Sequence, residues 1–553
     1  MMPGIPHKSL CRIAALFITL TFLISCGKDE GPKAGEYLGS AQVAGETNTP
    51  RVGGVKNVIL MIGDGMGVQQ TSLAMLYRQL RKSTRPELSL EKLMNSKNFG
   101  LMRTSSYGDI VTDSAAAATT MACGIKTLNE VIGMDPNGYA CETILEKAAK
   151  MGKATGLVTT SRLTHATPAG FASHQVFRKM ENEIAEDIIE EHDVNVLLSG
   201  GTRHFIPQYK DEVNQIPMKA SDLAECKDMA KPVDGKSKRK DQKNLIASAK
   251  SKGYKFVCNK AQLEKVPLKK DTKLLGLFSY TVFPMIQERN AINSLPDLAQ
   301  MTKTALDILQ KDEDGFFLMV EGALIDYAGH DNDAGAMLQE TLDFDQAIGV
   351  AMDFVDKNPD TLLIVTADHE TGGFGFAYGK KINFEMALPS GLHYKKPYNF
   401  APFTKFDYLD SQKKSFRAML QPIEKKLYPP DPTKADPNYG MEQATKELIE
   451  VVQSNSKFTL SEAQAREVLI RKPGNQDAEP HDFSQFYVHA SIHPDMLGRV
   501  LASQSHAVWA AGTHTSTPVP VMAYGPERYA ERVQGFIDNT EIAKIMEDAF
   551  NGR

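Results

Sequence analysis

Carboxylate and imidazole side chains closely follow short apolar runs in this chain. Asp64 comes after the run 57–63 (NVILMIG) in a glycine-rich turn, and Asp368 and His369 come after the run 362–366 (LLIVT). Glycines let a backbone approach a ligand closely, and a mixed set of carboxylate and imidazole ligands suits zinc. The pattern therefore predicts a metal site, although Asp64 taken alone could also be a plain turn aspartate.

Further ligands are predicted within residues 320–330 (VEGALIDYAGH). Asp326 and His330 are four residues apart, so in a helical turn they lie on one side and can hold one zinc ion, whereas such pairs more often form only a surface hydrogen bond. Glu321 directly follows an apolar run and is a further candidate. His514 alone would be structural, but its occurrence together with the other candidates favours a metal ligand. An all-oxygen subset of these ligands would suit magnesium.

Ser114 is the candidate nucleophile. It precedes the alanine run 115–118, which is a strong helix former, so Ser114 is expected at a helix N-terminus, where N–H groups and the dipole favour an anion. The alternative is that Ser114 only caps this helix. A serine alkoxide also needs a cation at its oxygen, which joins Ser114 and the metal ligands in one hypothesis.

Short apolar runs alternate with segments of helical periodicity along the chain. Such runs are typical of strands that are covered on both faces. We therefore predict an α/β fold with a largely parallel central sheet and helices on both faces. In such a sheet Asp64, Glu321 and Asp368 would gather beyond the carboxyl ends of the strands. The predicted strands are 57–63, 196–200, 316–320, 362–366 and 519–523, and the predicted helices include 181–191, 336–354, 441–452 and 460–470.

Two polar segments, at about 205–270 and 378–505, interrupt this alternation. We interpret both as insertions at the rim of the sheet. The second would form either a lid or crown over the site or a solvated decoration. The catalytic domain is then predicted to comprise residues 54–377 and 506–553.

The N-terminus has the features of an export signal. Basic residues precede the apolar run 13–24, which is too short to span a bilayer comfortably. The segment 23–26 (LISC) resembles the lipobox of bacterial lipoproteins, which predicts removal of a signal peptide 1–25 and acylation of Cys26. Residues 26–53 would form a flexible tether. An ordinary signal peptide with an incidental cysteine is the alternative.

Composition excludes several other classes of protein. Hydrophobic residues make up 42% and charged residues 24% of the 553 residues, as in ordinary globular proteins. A net charge of -5 supplies no basic field for a nucleic-acid backbone, so no nucleic-acid partner is expected. Apart from Cys26 and the cysteine of the signal sequence, four cysteines remain. They either form two local disulfides or stay as buried thiols; the local pairs would be Cys123 with Cys141 and Cys226 with Cys258.

Six blocks of the sequence resemble, in order, the signature blocks of alkaline phosphatases. The resemblance spans most of the predicted catalytic domain and is to the metal-dependent bacterial type with a serine nucleophile. It implies a hydrolase of phosphate monoesters that works through a phosphoserine intermediate and releases inorganic phosphate. The blocks are 57–67, 112–124, 165–178, 316–330, 361–373 and 514–526.

The resemblance also implies two zinc ions and one magnesium ion. Each ion is assigned by position to residues that match the family's motifs. The first zinc ion is assigned to Asp326, His330 and His514. The second is assigned to Asp64, Asp368 and His369, joined by Ser114 when its oxygen is ionised. Asp64 would bridge to magnesium, which Thr167 and Glu321 complete.

Two further residues are assigned around the phosphate by the same resemblance. Arg178 matches the arginine that holds two phosphoryl oxygens, and Asp113 would orient it.

Three nearby positions are less closely defined by the family. His165 stands where some members carry Asp and others His near magnesium. Tyr327 replaces a Lys or His found beside the phosphate, so metal preference and pH optimum stay open. His174 in the same segment is assigned to packing.

Alternatives to this function are a phosphodiesterase or sulfatase on a related scaffold, or a catalytically idle lipoprotein that binds phosphate. Arg178 argues against a diester, because a second ester group would displace an oxygen that its fork should bind. His506 competes with His514 as a ligand, but only His514 has the family's spacing to the block that follows it. A homodimer is compatible with the sequence. The expected location is the bacterial cell envelope, on the outer membrane facing the periplasm or on the cell surface.

Overall fold

The computed structural model describes residues 54–81, 87–207, 226, 237–427, 439–470 and 492–553. The signal peptide, Cys26 and the whole tether lie outside the described residues, so the predictions for them remain predictions. Within the described ranges no helix is both long enough and apolar enough to cross a membrane.

A mixed sheet of ten strands forms the centre of the molecule, and three two-stranded pairs accompany it. The strands of the described residues are β1 (Asn57–Gly63), β2 (Phe99–Arg103), β3 (Ala154–Arg162), β4 (Val196–Gly200), β5 (Lys255–Val257), β6 (Leu274–Leu277), β7 (Phe316–Gly322), β8 (Thr361–Thr366), β9 (Glu370–Thr371), β10 (Gly375–Phe376), β11 (Lys381–Ala387), β12 (His393–Tyr398), β13 (Ala507–Val508), β14 (His514–Thr515), β15 (Val519–Tyr524) and β16 (Gly535–Asp538).

The order of the large sheet is β16-β2-β15-β8-β1-β7-β3-β4-β6-β5. Only β15 runs against its neighbours, because its ladders with β2 and β8 are antiparallel and the other ladders are parallel. The prediction of a largely parallel sheet is therefore confirmed. All five predicted strands are present, and the strand at 519–524 is the antiparallel one.

Helices cover the sheet in two groups. One group packs α1, α2, α9, α10 and α12 together, the other packs α3, α4, α5 and α19 together, and both groups contact β7. The helices are α1 (Val68–Leu80), α2 (Ser89–Met94), α3 (Ser114–Cys123), α4 (Ile144–Lys150), α5 (Ala166–Ala172), α6 (Glu181–Glu186), α7 (Leu245–Ser251), α8 (Lys260–Leu263), α9 (Ile286–Arg289), α10 (Leu298–Leu309), α11 (Leu324–His330), α12 (Ala334–Lys357), α13 (Phe406–Asp410), α14 (Phe416–Glu424), α15 (Met441–Asn455), α16 (Glu462–Leu469), α17 (Ile492–Ser505), α18 (Glu527–Ala530) and α19 (Thr540–Asn551).

The central strands are buried along their whole length, which explains why apolar runs identified them. Every residue of β1, β7 and β8 is buried. Ile62 lies opposite Glu321 on one side and Thr366 on the other. These three parallel strands therefore end side by side, and residues that follow them meet at one edge.

The two segments interpreted as insertions are built differently. The described part of 205–270 includes β5, which is the edge strand of the large sheet on the side opposite β16. Within 378–505, β11 and β12 form an antiparallel hairpin that is exposed along nearly its whole length. Helices α13 and α17 of this segment contact each other, and α13 also contacts α12 of the core. Whether the segment acts as a lid remains a prediction.

Two disulfides join cysteines that are near one another in the sequence. Cys123 pairs with Cys141, and Cys226 pairs with Cys258. The local pairing is therefore the one present, and the alternative of buried thiols is wrong. The first bridge ties the end of α3 to the segment that leads into α4.

Candidate active site

The ends of β1, β7 and β8 gather buried acidic residues into one pocket. Asp64 follows β1, Glu321 lies at the end of β7, and Asp368 follows β8; all three are fully buried. Gly65 has a φ of +73°, and its N–H donates to Asp368 Oδ1 at 3.1 Å. A Cβ at Gly65 would stand 2.7 Å from Cα of Asp326, so only glycine fits this close turn.

Ser114 faces the first group of ligands, which consists of Asp64, Asp368 and His369. Ser114 Oγ lies 3.1 Å from His369 Nε2. The same nitrogen lies 3.1 Å from Asp368 Oδ2 and 3.5 Å from Asp64 Oδ1. A hydroxyl, two carboxylates and an imidazole thus converge on one small volume, as the ligands of a single cation would.

The serine is the first residue of α3, and it is not the residue that caps the helix. Asp113 is the N-cap, and its Oδ1 accepts the Ala116 N–H at 2.9 Å. The alternative that Ser114 merely caps α3 is therefore wrong. Its hydroxyl instead lies where the N-terminal N–H groups of α3 favour negative charge.

A second group of ligands consists of Asp326, His330 and His514. Asp326 and His330 lie one turn apart on α11, and His514 comes from β14. Asp326 Oδ1 is 3.3 Å from His330 Nε2 and 3.5 Å from His514 Nε2, and the two nitrogens are 3.2 Å apart. The ring of His369 stacks on that of His514 with centroids 3.5 Å apart, so this group adjoins the first one.

Backbone carbonyls orient the two histidines of the second group. His330 Nδ1 is 2.6 Å from the Gly512 carbonyl oxygen, and His514 Nδ1 is 2.9 Å from that of Thr112. Because a carbonyl oxygen can only accept, each Nδ1 carries a proton, and each Nε2 faces Asp326. No sequence pattern pointed to these carbonyls.

Thr371 is a further residue of the site that sequence reasoning missed. Its hydroxyl donates to Asp326 Oδ1 at 2.5 Å and lies 3.3 Å from His369 Nδ1. It therefore links the two groups of ligands. Thr371 comes two residues after His369, and this closeness in sequence to a predicted ligand could have identified it. In the structure it lies on β9, opposite His514 of β14.

A third group lies behind Asp64 and brings it near His165 and Glu321. These three residues each place a ligand atom within 4.8 Å of the others. The Thr159 hydroxyl donates to Glu321 Oε2. Thr167 is fully buried. The atoms without a hydrogen-bond partner among the described residues include both Asp64 oxygens, Glu321 Oε1, Thr167 Oγ1, His165 Nδ1 and Asp368 Oδ2.

The buried carboxylates of Asp64 and Glu321 are stabilised as anions only if positive charge is added. Burial and the charges of Asp368 and Asp326 raise the pKa of Asp64 well above its ordinary value. Burial also raises the pKa of Glu321 to about 7. Unpartnered buried oxygens cost free energy, and cations between them would restore both the charge balance and the missing contacts. The donor set therefore fits metal ions.

Arg178 stands at the mouth of the serine pocket. Its Nη1 donates to Asp113 Oδ2 at 2.9 Å, and its Nη2 donates to His165 Nε2 at 3.3 Å. Asp113 thus both caps α3 and holds the guanidinium. Burial, together with the charges of Arg162 and Arg178, lowers the pKa of His165 well below its ordinary value, so its ring is neutral.

The remaining predicted residues lie around or outside this pocket. Tyr327 is half-buried, with its ring centroid 6.1 Å from that of His165, and it interacts with Arg162. His506 contacts the Ala377 carbonyl oxygen at 2.8 Å, away from the ligand groups. His174 contacts Glu146 and the Gly133 carbonyl oxygen, outside the ligand groups of this pocket.

The fold and this pocket define an α/β protein with a buried serine among candidate metal ligands at the edge of a mostly parallel sheet. The family model of alkaline phosphatase matches residues 55–551. The chain belongs to the alkaline phosphatase family and is a phosphoric monoester hydrolase.

Named relatives agree with this family. Alkaline phosphatase 3 of Bacillus subtilis is 35% identical over 501 residues, covering 89% of this chain and 88% of its own. The alkaline phosphatase of Escherichia coli is 34% identical over 340 residues, covering 57% of this chain and 70% of its own. The crystal structure of Thermus thermophilus alkaline phosphatase superposes with a TM-score of 0.72 at 28% identity, covering 91% of this chain and 93% of its own.

Proposed function

We propose that this enzyme hydrolyses phosphate monoesters through a phosphoserine at Ser114, in a site that holds two zinc ions and one magnesium ion. The observation that carries the proposal is the position of the Ser114 hydroxyl, 3.1 Å from His369 Nε2 at the N-terminus of α3. A helix N-terminus and a buried set of ligands meet at this hydroxyl, and the Arg178 guanidinium is bonded to Asp113, the residue before Ser114. Such a pocket suits a doubly charged phosphoryl group.

The three groups of ligands correspond to the three proposed ions. When bound, the ions would supply Lewis-acid stabilisation of the serine and leaving-group oxygens and would lower the pKa of a water molecule. One zinc ion is assigned to Asp326, His330 and His514. The other is assigned to Asp64, Asp368, His369 and Ser114. Magnesium is assigned to Asp64, Thr167 and Glu321, with His165 beside it.

The chain's own residues carry two successive displacements. Ser114 Oγ gives up its proton to solvent and forms a bond to phosphorus while the bond from phosphorus to the ester oxygen breaks, and the alcohol leaves with a proton from solvent. A water oxygen then gives up a proton and forms a bond to phosphorus, the Ser114 Oγ–phosphorus bond breaks, Oγ takes a proton back from solvent, and inorganic phosphate leaves. Two inversions give retention of configuration at phosphorus.

Arg178 and the helix act mainly on charge. Little covalent chemistry is asked of the protein when phosphoryl transfer passes through a loose transition state. The fork of Arg178, fixed by Asp113 at 2.9 Å, would bind two phosphoryl oxygens, and α3 would favour the developing negative charge with its first N–H groups.

His165 makes the identity of the third ion a distinct question. The TAB5 enzyme from an Antarctic bacterium, 26% identical to this chain with a TM-score of 0.54, has been solved as a histidine-to-aspartate mutant with Mg bound in its M3 site. Imidazole suits zinc better than magnesium. We expect His165→Asp to increase the preference of the third site for magnesium.

Comparing a phosphate monoester with a diester tests the proposal. The parent enzyme should release the aryl alcohol from an aryl phosphate monoester much faster than from the corresponding diester, because the diester has one negative charge and one non-bridging oxygen fewer to share between Arg178 and the proposed cations. An aryl sulfate should react more slowly still. Faster cleavage of the diester or the sulfate would overturn the proposed substrate class.

We also propose that Cys26 anchors the enzyme in the outer membrane. The lipobox-like segment 23–26 supports this proposal, and Gly27 resembles the residue after the cysteine in lipoproteins that are not retained in the inner membrane. Cells given a labelled fatty acid should label the parent protein but not Cys26→Ser. Equal labelling of both proteins would contradict the anchor.

A further inference from the structure

A group of possible metal ligands lies outside the active site, where α4 meets the loops on either side of α6. Glu146 lies on α4, His174 follows α5, and His192 follows the π-helical turn Asp187–Glu191. The ligand atoms of these three residues lie within 4.8 Å of one another. None of the three belongs to the ligand groups described above.

The distances suit a small cation. Glu146 Oε1 is 3.2 Å from His174 Nε2 and 4.0 Å from His192 Nδ1. Two ligands of a tetrahedral zinc ion, each about 2.0–2.1 Å from the metal, are separated by about 3.3 Å. The pair of Glu146 and His174 already has this separation, and the pair of Glu146 and His192 needs a movement of less than about 1 Å. The ligand atoms of the two imidazoles lie within 4.8 Å of each other and need a movement of less than about 1.5 Å.

The ring of His174 is oriented as a ligand would be. Its Nδ1 lies 2.5 Å from the Gly133 carbonyl oxygen, which can only accept, so the Nδ1 carries a proton. Its Nε2 then faces the Glu146 carboxylate at 3.2 Å, a contact that raises the pKa of His174 and that a proton or a cation can bridge. A histidine that donates its other N–H to a carbonyl is the usual arrangement at a metal.

Glu146 is fixed in place by the start of α4. Its Oε2 accepts the Thr143 N–H at 2.7 Å in a capping box, which leaves Oε1 to face the two histidines. A carboxylate held by one oxygen presents the other without losing side-chain freedom when a ligand binds. The residue is therefore positioned in advance of any cation.

His192 is the third member of the group, and its Nδ1 is the nitrogen that lies 4.0 Å from Glu146 Oε1. Its other nitrogen, Nε2, is shielded from solvent and has no hydrogen-bond partner among the described residues. Burial lowers the pKa of this ring in spite of the opposing charge of Glu146, which favours the neutral imidazole that a metal binds. The side chains of the three ligands are 13–20% exposed, so water can reach the fourth position of a tetrahedral ion.

We propose that Glu146, His174 and His192 form a fourth, separate site for a divalent transition-metal cation, with zinc the best match to two imidazoles and one carboxylate. The site would clamp together α4, the loop that carries Arg178 and the end of the π-helical turn. Its role is positional, since His174 lies four residues before Arg178. The proposal stands independently of the proposed function.

Metal counting on full-length protein tests the site. Parent and His192→Gln proteins are saturated with zinc chloride, separated from unbound metal and analysed for zinc by mass spectrometry. His192→Gln should carry about one zinc ion fewer per chain and keep the parental kcat within about twofold at saturating zinc. Equal zinc content in the two proteins would overturn the proposal.

A matched control exists on the exposed hairpin. His393 Nδ1 lies 3.2 Å from Glu385 Oε1, which is the same separation as in the pair of His174 and Glu146, but no second imidazole accompanies it. His393→Gln should therefore retain the parental zinc content. Loss of zinc from His393→Gln as well would show that the method reports adventitious histidine binding, and the proposal would fail.

Anomalous diffraction decides the case if His192→Gln does not fold. Crystals of the parent enzyme, measured on both sides of the zinc absorption edge, should show a peak among Glu146, His174 and His192 that is separate from the peaks at Ser114. Density without an anomalous peak between these three residues would mean that only a proton joins His174 to Glu146. That result would contradict the site whatever the active site contains.

Discussion

Carboxylates in two regions of this molecule differ in whether the chain itself supplies their hydrogen-bond and charge partners. At the edge of the sheet, both oxygens of Asp64 lack hydrogen-bond partners, and burial and neighbouring acids raise its pKa well above the ordinary value. In the segment beside the site, Glu181 accepts bonds from Arg162 at 2.7 and 3.1 Å. Burial alone would raise the pKa of Glu181, but Arg162 and His204 lower it to about 2.

The difference separates a carboxylate that is paired within the chain from one that needs an external cation. Glu181 has a guanidinium built into the fold, so it serves structure. Asp64 has no such partner, so its ionised form depends on a bound ion. Substitutions in the two regions should therefore affect different quantities: activity and metal content at the sheet edge, and stability beside it.

The largest effect is expected from Ser114→Ala. Without the hydroxyl no phosphoseryl bond can form, so kcat for an aryl phosphate should fall by about 10³-fold or more. Metal content should change little, because six of the proposed zinc ligands remain. Ser251→Ala, an exposed serine on α7, serves as the control and should keep parental kcat. Robust turnover by Ser114→Ala would show that another group is the nucleophile.

His330→Ala is expected to remove one metal ion and about 10²-fold of the activity. The reason is that Asp326 and His514 alone leave a cation with two protein ligands. Elemental analysis combined with the aryl phosphate assay measures both quantities. His506→Ala removes a histidine whose ring contacts the Ala377 carbonyl oxygen and lies away from the ligand groups, so the metal content of this variant should match that of the parent. An unchanged metal content in His330→Ala would contradict the assignment.

Arg178→Ala should lower kcat/KM by about 10²-fold, mainly through KM, because two charge-assisted bonds to the phosphoryl oxygens are lost. Asp113→Asn should have a smaller effect of about tenfold, since asparagine still caps α3 but no longer pairs with the guanidinium. Steady-state kinetics of the two variants gives both numbers. A larger loss of kcat/KM from Asp113→Asn than from Arg178→Ala would contradict the proposal that Asp113 acts through Arg178.

The smallest effect is on stability and comes from Glu181→Gln. The folded-state pKa of Glu181 is depressed from 4.5 to about 2, so its contribution is present above pH 4.5 and is lost as the pH falls toward 2. The variant should be less stable than the parent by about 2 kcal/mol at pH 7. Denaturant unfolding at several pH values should show this difference narrowing below pH 4.5. A difference that stays constant with pH would contradict the ion pair.

Much of the central fold could be predicted because burial on both faces leaves a direct record in the sequence. The runs at 57–63 and 362–366 are apolar throughout and form β1 and β8. By contrast β3 (ATGLVTTSR) is rich in threonine and was not predicted, although it is almost entirely buried. The Thr159 hydroxyl bonds Glu321, which is remote in the sequence, and the Thr160 hydroxyl accepts the Ala323 N–H, so no local pattern reveals these partners.

The direction of β15 and the orientation of the two site histidines could not be predicted from the sequence, for a related reason. The reversed direction of β15 depends on its ladders with β2 and β8, which come from remote parts of the chain. The carbonyls of Thr112 and Gly512 orient two histidines, but every residue has a carbonyl, so they carry no signal. Likewise Glu146 shows only a capping-box pattern, and nothing local joins it to His192.

Trapping of the phosphorylated enzyme tests the central claim most directly. The parent enzyme is mixed with a phosphate monoester, quenched in acid within one turnover, digested and analysed by mass spectrometry, with Ser114→Ala treated in parallel. The account predicts a phosphoryl group on Ser114 of the parent and none on the peptide of the variant. Turnover by the parent with no phosphoryl group on Ser114, or with one on a different residue, would contradict it.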